Sequence, residues 1–130
     1  MSKDILFLRQ HEALALHAQL IQVFGGLASL RDEAALESAL VAPAQRAHYE
    51  AASLAVCAAT YAYHLTQAHA FIDGNKRVAA AATELFLELN GARLQATDEE
   101  VIDLFLRIAA GTLTRTAVEE IIHPWVIAGE

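Results

Sequence analysis

Positive charge is scarce in this chain: nine lysines and arginines face sixteen aspartates and glutamates, for a formal net charge of −7. Sequence-independent grip on a phosphate backbone needs a broad basic face, so the balance argues against a direct nucleic-acid partner. Cysteine is scarcer still. Cys57 stands alone in an apolar stretch, which rules out an intramolecular disulfide, gives no sign of an oxidising compartment and fits a buried core thiol. Only two prolines and six glycines interrupt the chain, too few for a disordered or turn-rich protein. No apolar run approaches the length that spans a membrane, and the start, MSKDILFLRQHE, breaks its short apolar stretch at Arg9 and has no small-residue cleavage site. A cytoplasmic protein without membrane contact is expected.

What is abundant is apolar. Residues of that kind make up 55% of the 130, with alanine at about a fifth, a composition that favours closely packed helices. The length suits one domain, residues 1–130, built as an all-α bundle of about six helices. A first helix is expected from Gln10 to Phe24, with Leu16, Leu20, Val23 and Phe24 on one face and Gly25-Gly26 as its stop, after an extended Ile5–Leu8. Asp32 caps a second, short helix carrying Leu36, Ala39 and Leu40. It should finish near Pro43, because the residue before proline resists helix, leaving 43–50 as a polar connection. A central helix follows over about 51–68, with Leu54, Cys57, Ala58, Tyr61, Leu65 and Ala68 at helical spacing. The fourth runs from Asn75 to Leu89 with Val78, Ala82, Leu85 and Leu89 inward, and Asn90-Gly91 ends it. Thr97 and Glu100 form a capping box for the fifth, with the stripe Val101, Leu104, Phe105 and Ile108. The sixth starts near Thr114 and presents Val118, Ile121, Ile122 and Trp125.

Packing does not explain His69-Ala70-Phe71-Ile72-Asp73-Gly74-Asn75-Lys76-Arg77, a polar, glycine-bearing stretch between two apolar helices. If a helix begins at Asn75, its first turn offers unpaired N–H groups and a partial positive charge, and Gly74 lets a phosphate come close to the backbone. Lys76 and Arg77 oppose the helix dipole there and cost stability unless an anion joins them. Asp73 has the hard oxygen that Mg²⁺ prefers beside phosphates, and His69 can take a proton from an incoming hydroxyl. Phe71 is expected to point into the core and anchor the loop. Taken singly each residue has a plainer explanation: a histidine at a helix end is usually a cap, Asp-Gly-Asn usually a turn, Lys-Arg usually a solvated face. Their combination at one loop-to-helix junction is what points to chemistry.

That nonapeptide, HAFIDGNKR, resembles the Fic/Doc signature H-x-F-x-[DE]-[GA]-N-[GK]-R at every specified position. The stretches LALHAQLIQVFGG, LRDEAALESAL and LFLELNG are similar to the death-on-curing (Doc) branch, so the resemblance covers most of the chain. It implies a Fic/Doc fold with the motif loop after the central helix. It also implies a catalytic site of His69, Lys76 and Arg77, phosphate binding by Gly74, Asn75, Lys76 and Arg77, and Mg²⁺ on Asp73. Lys76 stands where adenylyltransferases of the wider family have glycine, and Ala80 where they have a second arginine, which turns the expectation from AMP transfer toward Doc-type transfer of the ATP γ-phosphate to a Thr or Ser hydroxyl. By the same resemblance the target is elongation factor Tu, the outcome is translation arrest, and the restraint is a Phd-type antitoxin. No inhibitory [ST]-x-x-x-E-[GN] helix is present: Ser29–Ala34 and Thr116–Ile121 carry the glutamate but the wrong last residue. The segment 43–50 falls where relatives place a target-aligning flap, making Arg46, His48 and Tyr49 candidate docking residues.

Three rivals stand beside this reading. A metal hydrolase built on His11-Glu12 fails because His17 lies six residues on, about 240° around the helix, and His64 reads as a helix-face residue. A binding module without catalysis sits poorly with an intact His69, Asp73, Asn75 and Arg77. AMP transfer is separated from kinase activity by which phosphate of a labelled nucleotide is moved.

Overall fold

The computed structural model describes residues 4–129. Six α-helices surround one core: α1 (Gln10–Phe24), α2 (Glu33–Glu50), α3 (Leu54–Ala68), α4 (Asn75–Leu89), α5 (Asp98–Ala109) and α6 (Arg115–Ile122). A short 3₁₀ turn, His123–Trp125, follows α6. Two three-residue strands, β1 (Ala92–Leu94) and β2 (Val126–Ala128), pair antiparallel with Ala92 opposite Ala128. The chain is all-α with this one small ladder, which composition and periodicity did not announce. Among the described residues no helix is long and apolar enough to cross a membrane.

Helix starts follow the local capping chemistry. Asp32 accepts from the Ala35 N–H, Ser53 from Val56 and Thr114 from Ala117, while Thr97 and Glu100 cap each other's backbone reciprocally at 3.1 and 2.9 Å. The spine is α3. Nine of its fifteen residues are buried, and it packs against α2, α4, α5 and α6. Small alanines at 55, 58, 59 and 62 let those neighbours approach closely, and the hydroxyl of the fully buried Tyr61 accepts the Leu8 N–H within the core. Cys57 is fully buried, its thiol donating to the Pro43 carbonyl, and burial pushes its pKa up to about 11. It is a core residue.

Three expectations about the helices are corrected. The second helix does not stop at Pro43; it runs to Glu50 with the proline inside and buried. Leu36, Ala39, Leu40 and Pro43 form one buried face against α3, and Arg46 beyond the proline is pinned by side chains on α3 and α6, so tertiary contacts outweigh the lost helical hydrogen bond. In α1 the buried positions are Ala13 and His17, whereas Val23 and Phe24, expected inward, are exposed. In α4, Phe86 and Leu87 are fully buried and Leu89 faces solvent.

Candidate functional site

Residues 69–77 join the spine helix to α4, and several main-chain groups of the loop are tied to other parts of the protein. Arg31 and Asp32 both donate their N–H to the Ala70 carbonyl, at 2.7 and 3.0 Å, and Ile72 donates to Ser29. The loop is therefore strapped to the α1–α2 connection. Phe71 is buried, as its place in the motif suggested. Its main chain is held by one side chain: the Asn75 amide accepts the Phe71 N–H at 3.0 Å and donates to the Phe71 carbonyl at 2.8 Å. With both ends of its amide engaged in this way, the Asn75 side chain braces the loop.

His17 completes the frame. It is buried in α1, stacks on the Phe71 ring at 3.7 Å and 12°, and donates from Nε2 to the Asp73 carbonyl at 2.7 Å. A carbonyl only accepts, so the contact fixes the tautomer with the proton on Nε2. Nothing in the sequence pattern marked this residue; it had entered only as a failed metal ligand. On the other side of Asp73, the carboxylate Oδ2 accepts the Leu27 N–H at 2.8 Å. Gly26 makes this approach possible, since with φ +108° a Cβ there would stand 3.1 Å from the Asp73 Cβ.

His69 ends α3 in the left-handed region, φ +49°, one of two non-glycine residues with positive φ among the described residues. That conformation costs energy for a side chain with a Cβ, and such strain concentrates where a side chain must be aimed. Gly74, φ +79°, turns the chain into α4. The first-turn N–H groups of Asn75, Lys76 and Arg77 have no intrahelical acceptor by position. Among the described residues neither Lys76 nor Arg77 forms an ion pair. The Arg77 guanidinium instead lies 4.5 Å over the Phe24 ring, which explains why that phenylalanine is at the surface.

These groups face one cleft of about 570 Å³, within the range of nucleotide-sized ligands. His69, Asp73, Gly74, Asn75, Lys76 and Arg77 form its polar side; Val101, Ile102, Phe105, Leu106 and Ala109 of α5 form an apolar side, and Thr66, Ile72 and Ala80 complete the lining. One half offers cations and free N–H groups, the other a flat greasy wall. A divalent cation finds one carboxylate here, since Asp73 Oδ1 accepts no hydrogen bond among the described residues. No group of three His, Cys, Asp or Glu side chains gathers among the described residues, so coordination through Asp73 would be completed by ligand oxygens.

Arg46, His48 and Tyr49 are not on this cleft. They sit on the last turns of α2, not on a flap, and the expectation of a polar connection at 43–50 is withdrawn with the helix that replaces it. Arg46 bonds Glu119, Glu50 and the Thr60 hydroxyl. The hydrogen bond it donates to Glu50, ahead of burial's opposing effect and the help of Glu119, raises its pKa. With Tyr49, His64 and Arg115 it lines a second, smaller polar cleft. Burial, then Arg115 and Arg46, lowers the pKa of His64. His48 and Tyr49 are exposed and touch edge to face.

Comparison with known proteins agrees with the motif. The Fic/Doc family model matches residues 7–87, well over half of the chain, and the chain belongs to that family. It is also 32% identical over 110 residues to Protein kinase doc of Escherichia phage P1, an alignment that covers 84% of this chain and 86% of the phage protein.

Proposed function

We propose that this protein is a Doc-type toxin that transfers the γ-phosphate of ATP to a Thr or Ser hydroxyl of a protein target, with elongation factor Tu the first target to test and a Phd-type antitoxin as its restraint. The observation that carries the reading is the start of α4: two cations without acidic partners among the described residues and three first-turn N–H groups without an intrahelical acceptor line the same cleft as His69 and Asp73. Membership of the family and likeness to a protein named as a kinase support it.

The steps follow from the residues. His69 takes the proton of the target hydroxyl as its oxygen attacks the γ-phosphorus. The bond from that phosphorus to the β–γ bridging oxygen breaks, and ADP departs with the electron pair. Lys76, Arg77 and the first-turn amides of α4 stabilise the charge that develops on the phosphoryl oxygens, which is the main work of an enzyme in this chemistry. Asp73 would hold Mg²⁺, which when bound neutralises phosphate charge. The side chains of His17, Asn75 and Phe71 do not touch the reacting atoms; they keep the loop rigid so that these groups stay aimed.

ATP labelled at the γ- or the α-phosphate, offered with Mg²⁺ and purified elongation factor Tu or whole lysate, tests the reading. Transfer of γ-label alone, abolished by His69→Ala, is the expected result. Transfer of α-label would make the protein a nucleotidyltransferase despite Lys76 and Ala80, and no transfer of either label to any protein would remove the catalytic reading.

A further inference from the structure

Thr66 stands one turn before His69 on α3 and is almost wholly buried, yet its hydroxyl has no partner; no other buried side-chain oxygen or nitrogen among the described residues is in that position. Its helical counterparts behave differently. Thr60 donates back to the Val56 carbonyl at 2.7 Å and Thr83 to the Ala79 carbonyl at 2.8 Å, the usual way a buried helical threonine is satisfied. Thr66 makes no such bond to Ala62. Its neighbour Gln67 is used structurally, donating to the Ile108 carbonyl at 2.7 Å, so the junction of α3 with α5 is already closed without Thr66.

Thr66 is nonetheless one of the residues that line the motif cleft, which it shares with Phe105 and Ala109 as well as with Lys76 and Arg77. Valine would fill the same volume at no polar cost, and a buried hydroxyl without a partner destabilises the free protein. An unmet donor and acceptor on the wall of a ligand cleft is explained when the ligand supplies the missing partner. Phosphates are drawn to the cationic end of the cleft; the group that reaches the apolar end is the rest of the nucleotide.

We propose that the Thr66 hydroxyl is a nucleoside contact, hydrogen-bonding a ribose hydroxyl or base-edge atom of the bound nucleotide and so helping to select it. This rests on the nucleotide reading of the cleft and extends it to the non-phosphate part of the ligand. A threonine suits the task because in a helix its χ1 divides between two rotamers, so its hydroxyl can change direction with no backbone movement.

The experiment compares wild type, Thr66→Val and Thr66→Ser by calorimetric titration with ATP and with inorganic tripolyphosphate, both with Mg²⁺, alongside thermal melts of the free proteins. The expected pattern is that Thr66→Val melts at or above the wild-type temperature, binds ATP roughly five- to tenfold more weakly, and binds tripolyphosphate as the wild type does. Thr66→Ser, which keeps the hydroxyl, retains wild-type ATP affinity. Undiminished ATP binding by Thr66→Val overturns the proposal and leaves the nucleotide reading intact. Equal weakening toward ATP and tripolyphosphate, or a serine variant as weak as the valine one, overturns it as well. A wild type that binds neither probe sinks the nucleotide reading and this contact together.

Discussion

Two clefts of this small protein carry cations, and those cations are treated in opposite ways. In the second cleft Arg46 is bonded to Glu50, Glu119 and Thr60, and Arg115 lies 3.8 Å from Glu119. In the motif cleft Lys76 and Arg77 stand at the positive end of α4 with no carboxylate paired to them among the described residues. Internal pairing neutralises a charge and leaves it nothing to offer a ligand; an unpaired cation placed against a helix dipole is stabilised only when an anion arrives. The lesson is that a count of basic residues per cleft says little, whereas whether their partners are inside the protein separates a brace from a binding site.

The comparison can be broken by experiment. The largest effect is expected at the motif cleft: His69→Ala should lower the transfer rate by about 10²- to 10⁴-fold while the melting temperature stays within a degree or two of wild type, measured by label transfer and calorimetry. Next, Arg46→Met should cost about 2 kcal/mol, or roughly 6 °C in melting temperature, and leave ATP affinity unchanged. Arg77→Met should do the reverse, weakening ATP roughly tenfold with no loss of thermal stability, because a charge unfavourable to the helix has been removed. Should Arg77→Met melt lower than Arg46→Met, the division between brace and binding site is wrong.

Smaller effects sharpen the picture. His17→Phe keeps a ring against Phe71 but removes the donor to the Asp73 carbonyl, so a loss of about 1 kcal/mol and slower transfer are expected together, checked by melts and by initial rates. The smallest effect is a pH dependence in the second cleft. The folded state holds the pKa of His64 below its ordinary value through burial and the nearby Arg115 and Arg46. The unfolded chain therefore takes up the proton first, and stability falls as pH drops below about 6.5. His64→Gln has no such proton to bind and should flatten that part of the stability curve, followed by urea midpoints at intervals from pH 8 downward; an identical slope would clear His64 of the effect.

Much of the frame was legible because the signals are local. Asp32, the Thr97–Glu100 pair and Thr114 mark helix starts through bonds to residues three positions away, and the structure uses each as expected. The motif was legible for a different reason: its residue types make poor sense as packing. Where the reading failed, the cause lay at long range. Proline at 43 is a local stop signal, overridden by α3 and α6 gripping Arg46 beyond it. Val23 and Phe24 share the helical period of the core stripe, yet both are exposed, with the Arg77 guanidinium over the Phe24 ring. Strands of three residues carry no usable period, and β1 meets its partner more than thirty positions later.

By itself the sequence determined the helical class, most helix starts, and the nine residues whose chemistry must be explained, since propensity, capping and residue type act over a few positions. Only the tertiary structure decided which cations are paired, that His17 and Asn75 brace the loop while Thr66 lines the motif cleft with no hydroxyl partner among the described residues, and that Phe24 supports Arg77 rather than the core. Those outcomes depend on groups brought together from far along the chain, and no local pattern records which of them will meet.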